Sequence, residues 1–458
     1  MEERASKPPL ERFLSLFAEV RPGEGAIVLA LTLNVFLLLN AYYLVKPVRE
    51  ALILSGQGSA ELKSYTAVLQ ALLLLFIVPA YGWLGSRVAR RRLINIVTLF
   101  FVGCMAVFYV LIRAQVNVAI VFYLWVGIYS LMIVAQFWSF ANDVYTPEAG
   151  KRLFAIVGFG ASLGAVVGSA MAGSLIRLLG VEHMLPLGAL LLVSSLLLTH
   201  WVDSHARSTA NPAAPVKDVE PLRSSSTFRL ILGNRYLLLM ALMILAYNWV
   251  NSNGEYVLSR LVTEHAQELM ARGELAGQDE KGYIGQFFAG YFGAVNLLSL
   301  ILQLFVVSRL VKYADVPVAV CVMPVLSLIG LSAMTVIPSL MIVRWMKITE
   351  NATDYSLQNT VRQMLFLPLT REEKYAGKQT IDTFFVRSGD MLSAGLVYLG
   401  SSVLLWNARD FAVANLLLAI PWLVLAIFVG RGYRQRIAAS RAATARSLDT
   451  AGATAGAA

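Results

Sequence analysis

The sequence predicts an all-α membrane protein with twelve transmembrane helices in two halves of six. Of its 458 residues, 57% are hydrophobic and 14% are charged, whereas a soluble domain carries about 25% charged residues. Twelve apolar runs are each long enough to cross a bilayer, which takes about 20 residues. A polar stretch separates the sixth run from the seventh. Together these observations indicate a polytopic membrane protein with two equal halves.

The twelve predicted spans are 26–46, 64–85, 93–112, 117–141, 153–176, 184–202, 236–258, 283–308, 316–337, 339–361, 379–403 and 410–430. The stretch between the two sets contains three prolines and a triple serine, which is typical of a linker. The tail is rich in Ala, Thr, Gly and Arg, which favours disorder. We therefore expect an N-terminal half (1–202), a cytoplasmic linker (203–235), a C-terminal half (236–436) and a disordered cytoplasmic tail (437–458).

The net charge of +10 is distributed as in a membrane protein. With the N-terminus inside, most Lys and Arg residues fall on the cytoplasmic side, as the positive-inside rule requires. The largest external loop, 259–282, has an acidic surplus. We expect a multi-pass protein of the bacterial inner (plasma) membrane, in contact with the lipid bilayer and with both termini cytoplasmic.

Several classes of function are disfavoured by what the sequence lacks. No basic stripe interleaved with aromatic residues lies outside the spans, so no nucleic-acid partner is expected. The two cysteines lie in apolar runs, and the four histidines lie at helix ends or in loops. Neither a nucleophile–base arrangement nor a ligand cluster results, so the chain is not expected to be an enzyme or to hold a metal or cofactor.

Charged side chains end the first span. Lys46, Arg49 and Glu50 follow at i, i+3 and i+4, which places them on one helical face. Such charges are costly beside a span unless they face a polar cavity or the membrane surface. The segment therefore predicts either part of a substrate site or only the outer end of the first helix.

The tenth predicted span carries charges at membrane depth. Arg344, Lys347, Glu350 and Asp354 are spaced by three, three and four residues and trace one face, on which Lys347 and Glu350 can pair. Ionisable residues inside a membrane usually mark a substrate or ion path. A purely structural ladder of ion pairs is the alternative.

Short internal similarities support duplicated halves. Segment 146–152 follows the fourth span and segment 370–378 follows the tenth; each has a threonine and an acid followed by two basic residues. Segment 82–92 resembles the loop signature of major facilitator transporters, although Ser86 replaces its acid; positive-inside charge alone also accounts for these arginines. Six-plus-six topology with parallel repeats is the major facilitator arrangement.

In span five, glycines 160, 164 and 168 predict close helix packing.

Buried charge is concentrated in spans 1, 4, 7 and 10, with span 11 beside them. Spans 1, 4, 7 and 10 are the first helices of four three-helix units, and in the major facilitator architecture these four helices line the central cavity. The cations suit phosphate or carboxylate: Lys46, Arg49, Arg344, Lys347 and Arg387. The acids can pair with them or carry protons: Glu50, Glu255, Glu350 and Asp390.

Residues 352–390 resemble the nucleotide transporter family, the ATP/ADP exchangers of plastids and obligate intracellular bacteria. The matching residues are Ala352-Thr353, Tyr355-Ser356-Leu357, Arg362, Pro368-Leu369, Gly377-Lys378, Ile381-Asp382 and Arg387-Ser388-Gly389. The segments Leu124-Trp125 and Phe137 to Asn142 are similar to the family's fourth helix.

The resemblance implies functional roles at four positions. Arg387 and Arg49 stand where the family has functional lysines, and Glu255 matches a functional glutamate of the seventh helix. Tyr123 replaces another functional glutamate, so its ring either stacks on a base or sugar, or merely packs. The expected binding set is Lys46, Arg49, Glu50, Tyr123, Asn142, Glu255, Arg344, Lys347, Glu350, Arg387 and Asp390.

The resemblance implies transport of a nucleotide or related phosphorylated anion by alternating access, with ATP/ADP-type exchange as one form. The alternative is a proton-coupled symporter or exporter of another organic anion or drug-like solute. A non-transporting scaffold or sensor is a third class, which charges at membrane depth in several helices disfavour. The expected partner is a small anionic substrate, and no oligomeric state is predicted.

Overall fold

The protein is helical throughout the part of the chain that a computed structural model describes, which contains no strand. The described residues are 11, 14, 19–21, 23–55, 59–145, 147–209, 227–275, 277–370, 373 and 377–455. They form two compact units, unit 1 within Met1–Lys217 and Thr263–Leu297, and unit 2 within Asp218–Val262 and Leu298–Ala458. Each unit has its own apolar core.

Long helices follow one another along the chain. The first six are α1 (Gly25–Leu54), α2 (Ser59–Arg87), α3 (Arg90–Arg113), α4 (Ala119–Val144), α5 (Pro147–Leu179) and α6 (Met184–Thr209). After a short helix, Thr227–Gly233, come α7 (Arg235–Arg272), α8 (Glu280–Leu302), α9 (Ser308–Val336), α10 (Leu340–Thr353), α11 (Val386–Tyr398) and α12 (Ala408–Ala455). Wider π-helical turns adjoin α8, α10 and α11, at Gln303–Val307, Asp354–Gln358, Ile381–Phe385 and Leu399–Val403.

Each predicted span coincides with one of these helical segments, and the all-α fold class is confirmed. Within the described residues, eight helical segments are long and apolar enough to cross a membrane, and one of them, Glu280–Val336, covers two predicted spans. Its two parts meet at Asp315, whose φ of 65° interrupts the helix. Helix α7 is long but polar, and π turns shorten α10 and α11. The exact count of twelve transmembrane helices stays a prediction.

The chain departs from the predicted segmentation at two places. Helix α12 continues to Ala455, so residues 437–455 are helical where their composition predicted disorder. Alanine and arginine are strong helix formers, and they extend the helix that the last span begins. Helix α6 likewise covers 203–209 of the predicted linker, whereas linker residues 210–226 lie outside the described residues.

The glycine stripe of α5 brings its backbone against that of α1. A Cβ atom at Gly160, Gly164 or Gly168 would lie 2.6, 2.4 or 2.7 Å from the carbonyl oxygen of Thr32, Phe36 or Asn40, respectively. Real Cβ contacts are longer than 3.0 Å, so a larger residue does not fit at these turns. The predicted close packing is confirmed, and it fixes the helix that carries Lys46, Arg49 and Glu50.

Both units join the segment after their fourth long helix to the start of their first. In unit 1, Arg152 Nη2 lies 2.9 Å from Glu24 Oε1, just before α1. In unit 2, Asn234 Nδ2 donates to Glu373 Oε1 at 2.5 Å, just before α7. Partial burial opposes ionisation of Glu24, but the hydrogen bonds and charge of Arg152 outweigh it and hold the pKa of Glu24 below its ordinary value. The repeated contact supports internal duplication.

Candidate substrate-binding site

Unit 1 gathers ionisable side chains around a buried carboxylate. Arg49 Nε donates to Glu50 Oε1 at 3.0 Å, within α1. Lys63 of α2 brings its Nζ to 2.8 Å from Glu50 Oε2. The side chain of Glu50 is 1% exposed, whereas those of Arg49 and Lys63 are 14% and 11% exposed. We call Lys46, Arg49, Glu50, Lys63 and Tyr123 the unit 1 cluster.

Aromatic rings hold the three cations of this cluster. Lys46 Nζ lies 3.9 Å from the ring centre of Phe292, and Lys63 Nζ lies 5.2 Å from that of Phe288. Arg49 Cζ lies 4.6 Å from the ring centre of Tyr123. A cation above a ring face is attracted by the ring quadrupole, typically by about 0.5–2 kcal/mol. Tyr123 is therefore a neighbour of Arg49 inside unit 1, where it is 6% exposed.

The helix carrying Tyr123 is positioned by an aromatic cluster. Trp125 stacks on Tyr129 with ring centres 5.3 Å apart, both on α4. Phe101 and Phe108 of α3 meet Trp125 edge-on or tilted, at 5.9 and 5.2 Å. Offset and edge-to-face aromatic pairs add about 0.5–1.5 kcal/mol each beyond their buried area. Trp125 thus anchors α4 near Tyr123.

Unit 2 encloses a lysine between two carboxylates. Lys347 is fully buried, and its Nζ lies 3.1 Å from Glu350 Oε2 and 3.5 Å from Glu255 Oε1. The Asn251 side-chain oxygen accepts from the same Nζ at 2.7 Å. A Cβ at Gly254 would come within 3.2 Å of the lysine side chain, so a glycine there suits the close approach of α7. The predicted Lys347–Glu350 pair is confirmed.

A second ion pair in unit 2 lies within α11, and a hydrogen bond joins its acid to α7. Arg387 Nη1 lies 3.3 Å from Asp390 Oδ2, and Ser252 Oγ donates to Asp390 Oδ1 at 2.8 Å. Gly389 fits against α7, where a Cβ would lie 2.8 Å from the Leu245 carbonyl oxygen. The Arg387 side chain is 38% exposed and that of Asp390 is 19% exposed. All four predicted acids therefore pair with predicted cations.

Two further predicted site residues lie at other positions on α4 and α10. Asn142 is exposed at the C-terminal end of α4, whereas Tyr123 lies near its N-terminal end. Arg344 is half-buried on α10, one turn before Lys347. Lys63 of α2, which contacts Glu50, is absent from the predicted binding set. No periodicity links α2 to α1, so no signal in the sequence could have brought Lys63 to Glu50.

No family model matches the chain. Over an alignment of 528 positions it is 21% identical to ADP,ATP carrier protein 2 of Chlamydia pneumoniae, covering 94% of this chain and 93% of that carrier. It is 24% identical to ADP,ATP carrier protein 1 of the same organism, over 65% of this chain and 64% of the carrier. The chain is therefore similar to bacterial ADP,ATP carriers, and to one of them along nearly its whole length. The sequence resemblance is confirmed.

Solved transporter structures share the fold at low sequence identity. A bacterial homologue of the human lysosomal transporter Spinster has a TM-score of 0.58 at 13% identity and covers 91% of this chain and 99% of its own. A variant of the nucleoside transporter NupG has a TM-score of 0.61 at 11% identity, covering 88% and 99%. The chain therefore has the major facilitator fold and is a multi-pass membrane protein.

Proposed function

We propose that this protein transports nucleotides or related phosphorylated anions by alternating access, with ATP/ADP-type exchange as one form. The observation that carries the proposal is that three positions matching the functional residues of the exchangers are charged and engaged in ion pairs: Arg49, Glu255 and Arg387. Its relatives are named as ADP,ATP carriers, which supports a nucleotide as the substrate.

The chemistry of the clusters suits phosphate. The planar fork of arginine binds two phosphate oxygens at once, and lysine adds a point charge. Arg49 and Arg387 keep exposed edges although their carboxylate partners are more buried. Buried ion pairs contribute little net stability because desolvation offsets their attraction. Their presence in several helices is therefore better explained by binding than by stability.

A ligand screen tests the proposed function. Purified protein is heated with nucleotides, sugar phosphates or dicarboxylates, and the apparent melting temperature is recorded. A ligand at 100 times its Kd stabilises the folded state by about 2.7 kcal/mol. If nucleotides are the substrates, they should bind most tightly and give the largest shifts. Uptake of labelled nucleotide against unlabelled competitors then measures transport. Stabilisation by dicarboxylates, with none by nucleotides, would instead support the proton-coupled alternative.

The proposed orientation places the linker and both termini in the cytoplasm of a bacterial inner membrane. In a background with Cys104 and Cys321 replaced by serine, Ser224→Cys should react with an impermeant thiol reagent only after the cells are opened. Glu274→Cys, in the loop between α7 and α8, is the matched external control and should react in intact cells. Labelling of Ser224→Cys from outside would reverse the orientation.

Tyr123→Glu should change which anions are preferred. The new carboxylate would stand beside the Arg49 guanidinium, now 4.6 Å from the ring centre, and would lower the net charge of the unit 1 cluster by one. Mono-, di- and triphosphates should compete for uptake in a different order from the wild type, with triphosphates losing most. Tyr123→Phe is the control and should keep the wild-type order. Identical profiles for Tyr123→Glu would place Tyr123 outside the substrate path.

A further inference from the structure

Lys63, near the start of α2, makes a contact that residue spacing does not predict. Its Nζ lies 2.8 Å from Glu50 Oε2, while Arg49 occupies the other oxygen, Oε1. One carboxylate is therefore shared by two cations from two helices. Lys63 is 11% exposed by its side chain, so most of its stem is buried in unit 1.

The net formal charge of the unit 1 cluster depends on Lys63. Lys46, Arg49 and Lys63 are cationic, and Glu50 supplies one negative charge. A single Arg49–Glu50 pair would be neutral, and with Lys46 it would leave one positive charge. Lys63 raises that excess to two. Because desolvated charges interact far more strongly than charges in water, one added charge here has a large effect on a bound anion.

The cations can be reached by a ligand more readily than their carboxylate. Glu50 is 1% exposed, but Arg49 and Lys63 keep 14% and 11% of their side chains exposed. An anion can therefore approach the two cations without facing the buried acid. The ring centres of Phe288 and Phe292 are 5.8 Å apart on α8. Lys63 contacts Phe288 and Lys46 contacts Phe292, so both lysines lie against neighbouring rings of the same helix.

We propose that Lys63 is a specificity-determining residue of the substrate site. Its ammonium group brings the net formal charge of the unit 1 cluster to +2, which favours the multiply charged end of the substrate. This inference rests on the proposed function, because it assumes that a phosphorylated anion binds at this cluster. Lys63 thereby sets the preference for di- and triphosphates over monophosphates.

The test is a charge-balanced set of variants. Lys63→Met lowers the cluster charge by one, and Glu50→Gln with Lys63→Met restores it because one charge of each sign is removed. Kd values for nucleoside mono-, di- and triphosphates, and for phosphate and pyrophosphate, are measured on the purified full chain. Lys63→Arg is the conservative variant, and Lys281→Met at the start of α8 is the control for charge loss outside the cluster.

We expect Lys63→Met to weaken triphosphate binding by about tenfold or more, and monophosphate binding clearly less. Lys63→Arg, Lys281→Met and the double variant should keep the wild-type ratio of triphosphate to monophosphate affinity within about threefold. A merely structural role would not move that ratio and would not be rescued by the second neutral substitution. An unchanged ratio in folded Lys63→Met, or no recovery in the double variant, overturns the proposal.

Failure of the proposed function gives a different result. If the wild type binds pyrophosphate but no nucleotide, the nucleotide assignment fails, while the ratio of pyrophosphate to phosphate affinity still judges Lys63 by the same criteria. If the wild type binds none of these anions, the inference about Lys63 is overturned as well.

Discussion

Lys347→Met is expected to destabilise the protein by about 3–5 kcal/mol, because removing one partner of a buried ion pair leaves an uncompensated charge. Lys347 is fully buried, and its ammonium group forms ion pairs with both Glu350 and Glu255. Without it, two carboxylates remain close together on α10 and α7. The apparent melting temperature and the yield of detergent-purified protein should both fall sharply, and uptake should be lost with them.

A second substitution separates charge from packing in this prediction. Lys347→Met with Glu350→Gln removes one charge of each sign and leaves Glu255, whose side chain is 27% exposed and can be hydrated. The double variant should therefore regain much of the lost melting temperature. A single Lys347→Met variant as stable as the wild type would show that the two acids do not need this lysine.

Arg387→Ala is expected to abolish transport while the fold survives. The Arg387 side chain is 38% exposed and pairs with a partly exposed Asp390; exposed ion pairs contribute only about 0–1 kcal/mol to stability. If its guanidinium holds the substrate anion, uptake should fall below roughly 1% of the wild type, equivalent to about 2.8 kcal/mol. Uptake of labelled nucleotide is measured at equal amounts of protein in the membrane.

Two further variants make the result specific. Arg387→Lys should keep part of the activity, since the related exchangers have lysine at the matching position. Arg409→Ala removes an exposed arginine at the start of α12 and should leave uptake unchanged. Full uptake in Arg387→Ala would remove Arg387 from the substrate site.

Contacts within one helix were the part of the site that the sequence could predict. The spacing of Lys347 and Glu350 fixes their separation once a helix forms, and the structure has the pair at 3.1 Å. Arg387 and Asp390 follow the same i, i+3 rule. Fold class was predictable for a similar reason, since apolar length alone distinguishes a membrane span.

Contacts between helices were not predictable in the same way. Lys63 reaches Glu50 through the packing of α2 on α1, which has no signature in residue spacing. The four charges predicted to share one face do not all lie on α10, because the last of them, Asp354, begins a π-helical turn. A wider turn alters the angular step per residue, so a spacing counted at 3.6 residues per turn no longer holds there.

The glycine contacts between α5 and α1 restrict how unit 1 can move. Backbones that touch at three successive turns interlock along about 12 Å of axis, at a rise of 1.5 Å per residue. Sliding or rolling of α1 would drive the carbonyl groups of Thr32, Phe36 and Asn40 into the backbone of α5. Helices α1 and α5 are therefore expected to move as one rigid body. Any displacement of Lys46, Arg49 and Glu50 during a transport cycle then requires both helices to turn together.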